Sequence, residues 1–471
     1  MSLSNKLSVV ILAAGEGTRM RSKAAKVLFP ICGRPMVNYV LDAAVSLMPE
    51  RIVVVVGHKG DEVIEAVQHT WKPDNLWAGK LEFAWQREQK GTGHAVMCAG
   101  DNLSDFTGDT LVLYGDTPLI TAKLLKGFRD DHVSKGAGVS LISFKPGDMG
   151  AYGRVVRDSS GNVVRIVEAR DITEAEAGID EANAGMYLAD RSTLFDLLSE
   201  VKNDNVKGEY YLTDIVDIAV RRGMRVSGFV APDAETVQGI NDRYALSVAE
   251  KTLRESVLRA LCFSGVTVRD PSSTYVDFGV KVGADTVIEP QTYLRGSTVI
   301  GEGCVIGPGT EIVDSVVGDG STVWLSVVEE SSVGKDVQVG PYSHLRPRAA
   351  LEDGALVGNF AEVKNTVVGK GTKAHHHCYL GDTTIGPGVN IGAGTVTVNY
   401  DGAQKHRTII EDGSFIGCNA NLIAPVTVGK GSYVAAGSTI TDDVPPLSLA
   451  IARERQTVKE GWVERRKQQR R

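Results

Sequence analysis

Apolar residues recur every six positions through the second half of this 471-residue chain. Val282, Ile288, Leu294, Ile300, Ile306 and Ile312 form one block. The register slips and resumes at Val333, Val339, Leu345, Leu351, Val357 and Val363, then again at Ile410, Ile416, Leu422, Val428, Val434 and Ile440. Glycine often comes next, as in Ile300-Gly301, Val339-Gly340 and Ile416-Gly417. A helix spaces its apolar residues three or four apart and a half-buried strand two apart, so neither yields this period. A parallel β-helix does: each hexad is one flat side, its lead residue points inward, and the glycine helps turn the corner. The same repeat accounts for 52 glycines, a count well above ordinary usage. The polar stretch 397–408, with "VNYDGAQKHR", interrupts the hexads and predicts a loop on the working face. The segment "HHHCYLGD" (His375 to Asp382) reads as lying outside the pattern.

The first half follows another rule. Buried runs at Ser8–Ile11, Arg51–Gly57, Leu81–Trp85 and Thr110–Asp116 alternate with helical spacing over Met36–Met48 and Asp61–Val67, with a further helix from Thr92. This alternation predicts an α/β domain, Rossmann-like, with a mostly parallel sheet and helices on both faces. Ligands of such sheets bind at the carboxyl edge. There the first strand runs into "LAAGEGTRM" (Leu12 to Met20), followed by Lys26. Gly15 and Gly17 allow a tight turn close to a phosphate, and Arg19 and Lys26 add two cations suited to a triphosphate. The loop is no Walker motif, and Met20 stands where a dinucleotide fingerprint has its third glycine. Thr92 reads either as a helix cap or as a ligand contact. Asp116 reads either as a Mg2+ ligand beside phosphates or as the cap of the helix after Pro118. Between the halves, Asn241–Cys262 carries one apolar stripe and reads as a rigid helical spacer, giving domains 1–243 and 265–471 about a linker helix, 244–264.

A net charge of −7 argues against nucleic acid as the main partner. The 6 cysteines lack CxxC spacing, which points to a reducing compartment with neither disulfides nor a zinc site. No apolar run is long enough for a membrane span or shaped as a signal sequence, so the expectation is a cytoplasmic protein. The adjacent histidines 375–377 leave three readings open: a metal site, a passive surface run, or a catalytic base.

The string LAAGEGTRM with Lys26 and "VLFP" resembles the signature of nucleotide-sugar pyrophosphorylases, with Ala25 where that family usually has proline. The order then continues through Gln86, GTGHA (Gly91 to Ala95), YGD (Tyr114 to Asp116), AYGR (Ala151 to Arg154), IVE (Ile166 to Glu168), NAG (Asn183 to Gly185), GEYYLTD (Gly208 to Asp214) and GIND (Gly239 to Asp242). It is similar to the bacterial bifunctional family of N-acetylglucosamine-1-phosphate uridylyltransferase/glucosamine-1-phosphate N-acetyltransferase. The resemblance implies that Leu12, Ala13, Ala14, Gly15, Gln86, Gly91 and Thr92 hold the uracil and ribose of UTP. It implies that Lys26 and Arg19 meet the phosphates, that Tyr114 and Gly115 also bind the nucleotide, that Asp116 and Asn241 hold Mg2+, and that Gly153, Glu168 and Asn183 receive the N-acetyl sugar. In the second half it selects His376 as general base. Arg346, Lys364, Tyr379, Asn390 and Lys405 would bind glucosamine 1-phosphate. Ala393, Asn399, Tyr400, Ala436 and Arg453 would meet acetyl-CoA, with Cys418 where relatives often have serine. It further implies a left-handed coil, a homotrimer, and small-molecule substrates leading to a cell-wall precursor. Two rivals share these folds: a nucleotidyltransferase whose coil only regulates it, and a scaffold subunit of a translation exchange factor. Intact Lys26, Asp116 and Asn241 argue against the scaffold, and His376, Lys364, Arg346 and the Asn399-Tyr400 loop against a merely regulatory coil.

Overall fold

The computed structural model describes residues 6–73, 76–205 and 207–470. The chain divides into two units, Met1–Leu253 and Arg254–Arg471.

In the first unit the run from Leu7 to Ala13 is wholly buried and forms β1, because consecutive apolar side chains suit a strand covered on both faces. After a small hairpin, β2 (Pro30–Ile31) and β3 (Arg34–Pro35), come helix α1 (Met36–Val45) and β4 (Arg51–Val56). The order continues with α2 (Gly60–Thr70), β5 (Lys80–Trp85), α3 (Thr92–Cys98), β6 (Asp109–Tyr114), α4 (Ala122–Lys135) and β7 (Val139–Phe144). A short antiparallel pair, β8 (Arg154–Arg157) and β9 (Val163–Val167), leads to β10 (Ala182–Asp190), α5 (Arg191–Leu198), α6 (Asp214–Arg221) and β11 (Val226–Val230). The sheet order is β11-β7-β10-β6-β1-β4-β5, parallel except for β10. Apolar clusters cover both faces, one with α1, α2 and α4, the other with α3, α5 and α6. Because β10 runs against β6, its first residues lie at the same edge as the last residues of β1, β4, β5 and β6. Helix α7 spans Arg243–Phe263, where the spacer was expected.

The second unit is a parallel β-helix of three sheets with 11, 10 and 9 strands, each strand pairing with the equivalent strand one coil on. Seventeen of the eighteen lead residues are buried, and Val282, at the first coil, packs half-buried against the same core. Two places before many of the leads, buried Ser and Thr hydroxyls bridge coils: Thr286 donates to the Gly301 carbonyl at 2.8 Å and accepts from the Cys304 amide at 3.0 Å. The slips have a simple cause. After Ile312 the buried leads are Val317, Val323, Val328 and Val333, so some sides lose one residue. At two shortened corners Asp314 and Glu330 take φ of 46° and 41°.

One sequence reading is corrected here. Ala374 and Leu380 are buried lead residues of the core, so "HHHCYLGD" belongs to the hexads. A small lead, Ala374, hid the period. The three histidines occupy the exposed corner between the strands Lys373–Ala374 and Cys378–Gly381.

Candidate functional site

In the first unit the glycine loop after β1 is built around Lys26. Gly17 takes φ 62°, and a Cβ there would lie 2.6 Å from the Lys26 Cβ, so only glycine lets the lysine cross beneath the loop. Nothing lies within 4 Å of a Cβ on Gly15, leaving that side of the loop open. Ala25 sits at φ −63°, the value a proline ring would impose, so the departure from the family pattern keeps its backbone. Lys26 Nζ pairs with the Asp116 carboxylate and donates to Asn241 Oδ1 at 2.8 Å. An Arg19 guanidinium nitrogen donates to the same Asn241 oxygen at 2.8 Å. Four expected site residues thus meet, although Asn241 lies 215 positions from Lys26. The Ile240 amide, bonded to the Asp116 carbonyl at 2.8 Å, delivers Asn241 to this edge. Asp116 does not cap α4; Thr121 does, accepting from the Leu124 amide at 3.2 Å.

A second group surrounds Gln86, which is buried just past β5. Its Nε2 donates to the Gly91 carbonyl at 2.9 Å and lies 3.2 Å from His94 Nδ1. Gly91 has φ 99° and presses on Tyr210, where a Cβ would come within 2.6 Å of a carbonyl oxygen. Thr92 is the first residue of α3 rather than its cap, and its hydroxyl accepts from the Leu212 amide at 3.1 Å. Tyr114 ends β6, and Gly115 donates its amide to the Leu12 carbonyl at 2.9 Å.

The third group lies where β10 begins. The Asn183 amide donates to the Gly153 carbonyl at 2.9 Å, and its side chain reaches Tyr187 Oη and the Gly185 amide. Glu168 accepts from the Thr213 hydroxyl at 3.0 Å. Asp214 follows at the start of α6, where burial, with the Glu168 charge, pushes its carboxyl up to about 6. Thr213 and Asp214 stood in the quoted GEYYLTD string without a role.

In the second unit the expected residues sort by corner. His376, Ala393, Cys418 and Ala436 each stand two places after the buried leads Ala374, Ile391, Ile416 and Val434 of one sheet. They therefore stack at one corner in four successive coils, and Arg453 lies beside Gly437 at its end. Cys418 is exposed, whereas Cys378 is buried and its thiol is pushed up to about 12, which leaves it a packing group.

The next corner carries charge. Arg346, Lys364 and Gly381 follow the leads Leu345, Val363 and Leu380 in three adjacent coils, with Tyr379 on the same sheet. Arg346 pairs with Glu362 at 2.7 Å. Lys405 reaches this corner from the insertion, which is folded by a Tyr400–Lys405 bridge and by Asp401 accepting from the Ala403 and Gln404 amides and pairing with His406. Contact with the Lys405 ammonium, together with burial, draws the Lys364 ammonium below the usual lysine range. Asn399 is buried and bonded to Asp382, 3.5 Å from Tyr379 Oη. Asn390 lies on a different sheet of the coil from Tyr379 and Lys364, so within one chain it does not join this group. Among the described residues no three His, Cys, Asp or Glu side chains gather to hold a metal ion, and no helix is long and apolar enough to cross a membrane. The basic tail forms a short exposed helix, α8 (Trp462–Gln468), and Arg471 lies outside the described residues.

The nucleotidyl transferase family matches residues 8–245, and the bacterial transferase hexapeptide family matches 279–314 and 407–442. A curated relative from Geobacillus sp. (strain WCH70), "Bifunctional protein GlmU", is 49% identical over 460 residues, covering 98% of this chain and 98% of its own. Proteins of the same name from Brevibacillus brevis and Listeria monocytogenes serotype 4a are 48% and 47% identical, covering 97% and 98% of this chain and 96% and 98% of their own.

Proposed function

The chain belongs to the family of bifunctional GlmU proteins, and from that premise we propose that each unit carries one of two consecutive reactions. The second unit transfers acetyl from acetyl-CoA to glucosamine 1-phosphate. The first then transfers uridylyl from UTP to N-acetylglucosamine 1-phosphate and releases pyrophosphate. The product is UDP-N-acetylglucosamine, a cell-wall precursor. The observation that carries this reading is that each unit holds its own cluster of cations beside polar groups, Lys26 and Arg19 in one, Lys364, Lys405 and Arg346 in the other.

In uridylyl transfer the sugar phosphate is already a nucleophile, so the chain must align two anions and stabilise charge rather than supply a base. The loop Leu12–Gly15, with Gln86, Gly91 and Thr92, seats the uracil and ribose, flanked by Tyr114 and Gly115. Gly153, Glu168 and Asn183 seat the acceptor sugar. Asp116 and Asn241 offer only oxygen donors, and an oxygen of each already faces the Lys26 ammonium, a donor set that fits Mg2+. Mg2+ held there supplies positive charge to the phosphates. Lys26 and Arg19 then exchange the Asp116 and Asn241 oxygens for phosphate oxygens, holding the α-phosphate in line for attack.

In acetyl transfer His376 takes a proton as the amine of the sugar attacks the thioester carbonyl. The N–C bond forms, the C–S bond breaks, and the proton passes to the departing CoA thiolate. Arg346, Lys364 and Lys405 hold the sugar phosphate, with Tyr379 and Asn390 on the sugar. Ala393, Asn399, Tyr400, Cys418, Ala436 and Arg453 line the coenzyme. Asn390 and the His376 corner stand apart from the Lys364 corner in one coil, and the faces of a coil are too flat to enclose a coenzyme. That favours a site shared between chains in a three-fold homotrimer. Co-expressed His376→Ala and Arg453→Ala chains then recover part of the acetylation that each lacks alone. Six free cysteines favour a reducing compartment, the cytoplasm. Incubation with acetyl-CoA, glucosamine 1-phosphate, UTP and Mg2+ gives UDP-N-acetylglucosamine by mass. Its absence, with both half-reactions silent, would refute the reading.

A further inference from the structure

Among the side chains outside the roles above, one stands out. Asp382 is a buried carboxylate at the Lys364 corner. Asn365, Asp382 and Asn399 each stand two places after the lead positions 363, 380 and 397, so they stack in three successive coils, 17 residues apart. Asp382 Oδ1 accepts from the Asn365 carboxamide and Oδ2 from that of Asn399. Its amide donates to the Lys364 carbonyl at 3.0 Å, and its own carbonyl accepts from the Thr408 amide at 3.3 Å. The insertion leaves the coil at Asn399 and returns at Thr408, so both ends of that loop are bonded to this one residue. Its charge also stands opposite the Lys364 and Lys405 ammonium groups. Resting on the acetyl-transfer reading, we propose that Asp382 is a positioning residue of that reaction, seating the insertion loop and balancing the phosphate cradle through one buried carboxylate.

The electrostatics agree with the geometry. Burial alone would push the Asp382 carboxyl up, but the bonds from Asn365 and Asn399 and the charges of Lys405 and Lys364 outweigh it and hold the group ionised below the usual carboxylate range. Facing Lys364 are Lys405 and Arg346, which lower its pKa, and Asp382, which raises it; Glu362 is engaged by Arg346. Losing the carboxylate therefore lets Lys364 deprotonate at lower pH and loosens the loop that carries Lys405 and Tyr400.

The test uses the full chain with Asp382→Asn, which keeps the shape but sets an NH2 against donor carboxamides. The KM for glucosamine 1-phosphate and the KM for acetyl-CoA should each rise about tenfold or more, with kcat changed less. The alkaline limb of kcat/KM for the sugar phosphate should move to lower pH, and Asp382→Glu, which restores the charge, should return that limb. Uridylyl transfer by the same preparation should keep its rate, showing the chain intact. If Asp382→Asn does not fold, Asn365→Ala, which removes one of the two donors, should raise both KM values by a smaller factor. Unchanged KM values and pH limb in Asp382→Asn, while Lys364→Ala raises the KM for glucosamine 1-phosphate, would overturn the positioning role alone. No effect of Lys364→Ala either would overturn the acetyl-transfer site itself.

Discussion

The two units each gather cations beside polar groups but arrange them in opposite ways. In the first, Lys26 rests on a carboxylate and an amide oxygen, and Arg19 shares that amide. In the second, the Lys364 and Lys405 side chains press on each other, Glu362 is engaged by Arg346, and the Asp382 carboxylate, held by two carboxamides, is the counter-charge that faces both lysines. Two like charges held together are costly without an anion and favourable with one. On the reading proposed above, the second arrangement would suit a phosphate monoester, with Asp382 as its built-in counter-charge. The first holds its cations on the Asp116 and Asn241 oxygens, which on the same reading would be exchanged for phosphate oxygens as a further cation takes their place. On the reading proposed above, the same elementary rule, that charge seeks compensation, would call for a divalent cation in the first site and for none in the second.

The largest effect that would break this comparison is at the histidine corner. His376→Ala should lower acetyl transfer by about 10²–10⁴-fold, the usual worth of a positioned base, and leave uridylyl transfer alone. His375→Ala and His377→Ala should do less, and equal losses in all three variants would remove the assignment. Next, Asp116→Ala should lower pyrophosphate release from UTP by about 10²–10³-fold without touching acetylation, measured on one preparation. Uridylyl turnover at the parent rate would mean that Lys26 needs no carboxylate partner.

The smallest effect concerns the carboxyl of Asp214, raised to about 6 from an ordinary value of 3.8. The folded state binds more protons than the unfolded state between these values, so the stability of the first unit falls as pH rises through that window. At pH 7 the parent carries a desolvated carboxylate near Glu168. Asp214→Asn should therefore melt higher than the parent at pH 7, and the gap should narrow toward pH 4, as read by thermal unfolding. A gap that widens on acidification would reverse the sign assigned to this group.

Much of this was legible in the sequence. The hexads announced the coil because each lead residue must face a narrow core, and the buried leads from Ile288 to Ile440 match them. The loop around Lys26 was legible from the longer string LAAGEGTRM with its lysine and from the family it resembles, since Gly15 and Gly17 alone would fit an ordinary tight turn. What stayed hidden depends on coil length. Ala374 as a small lead and a polar residue, Thr397, in a lead position masked the period around the histidines. The Asn365–Asp382–Asn399 ladder is visible only once coils of 17 residues are counted. Likewise, the cap reading of Asp116 fell only once the Thr121 hydroxyl was seen on the Leu124 amide.

Chelation tests whether the two sites compensate phosphate charge differently. One preparation, assayed in parallel for acetyl transfer and for uridylyl transfer, is titrated with EDTA and then re-supplied with Mg2+ or Zn2+. Uridylyl transfer should be lost and return with Mg2+, while acetyl transfer should stay level throughout. Loss of acetylation with EDTA and its return with zinc would contradict the account and turn the histidine corner into a metal site, as would uridylyl transfer that persists without a divalent cation.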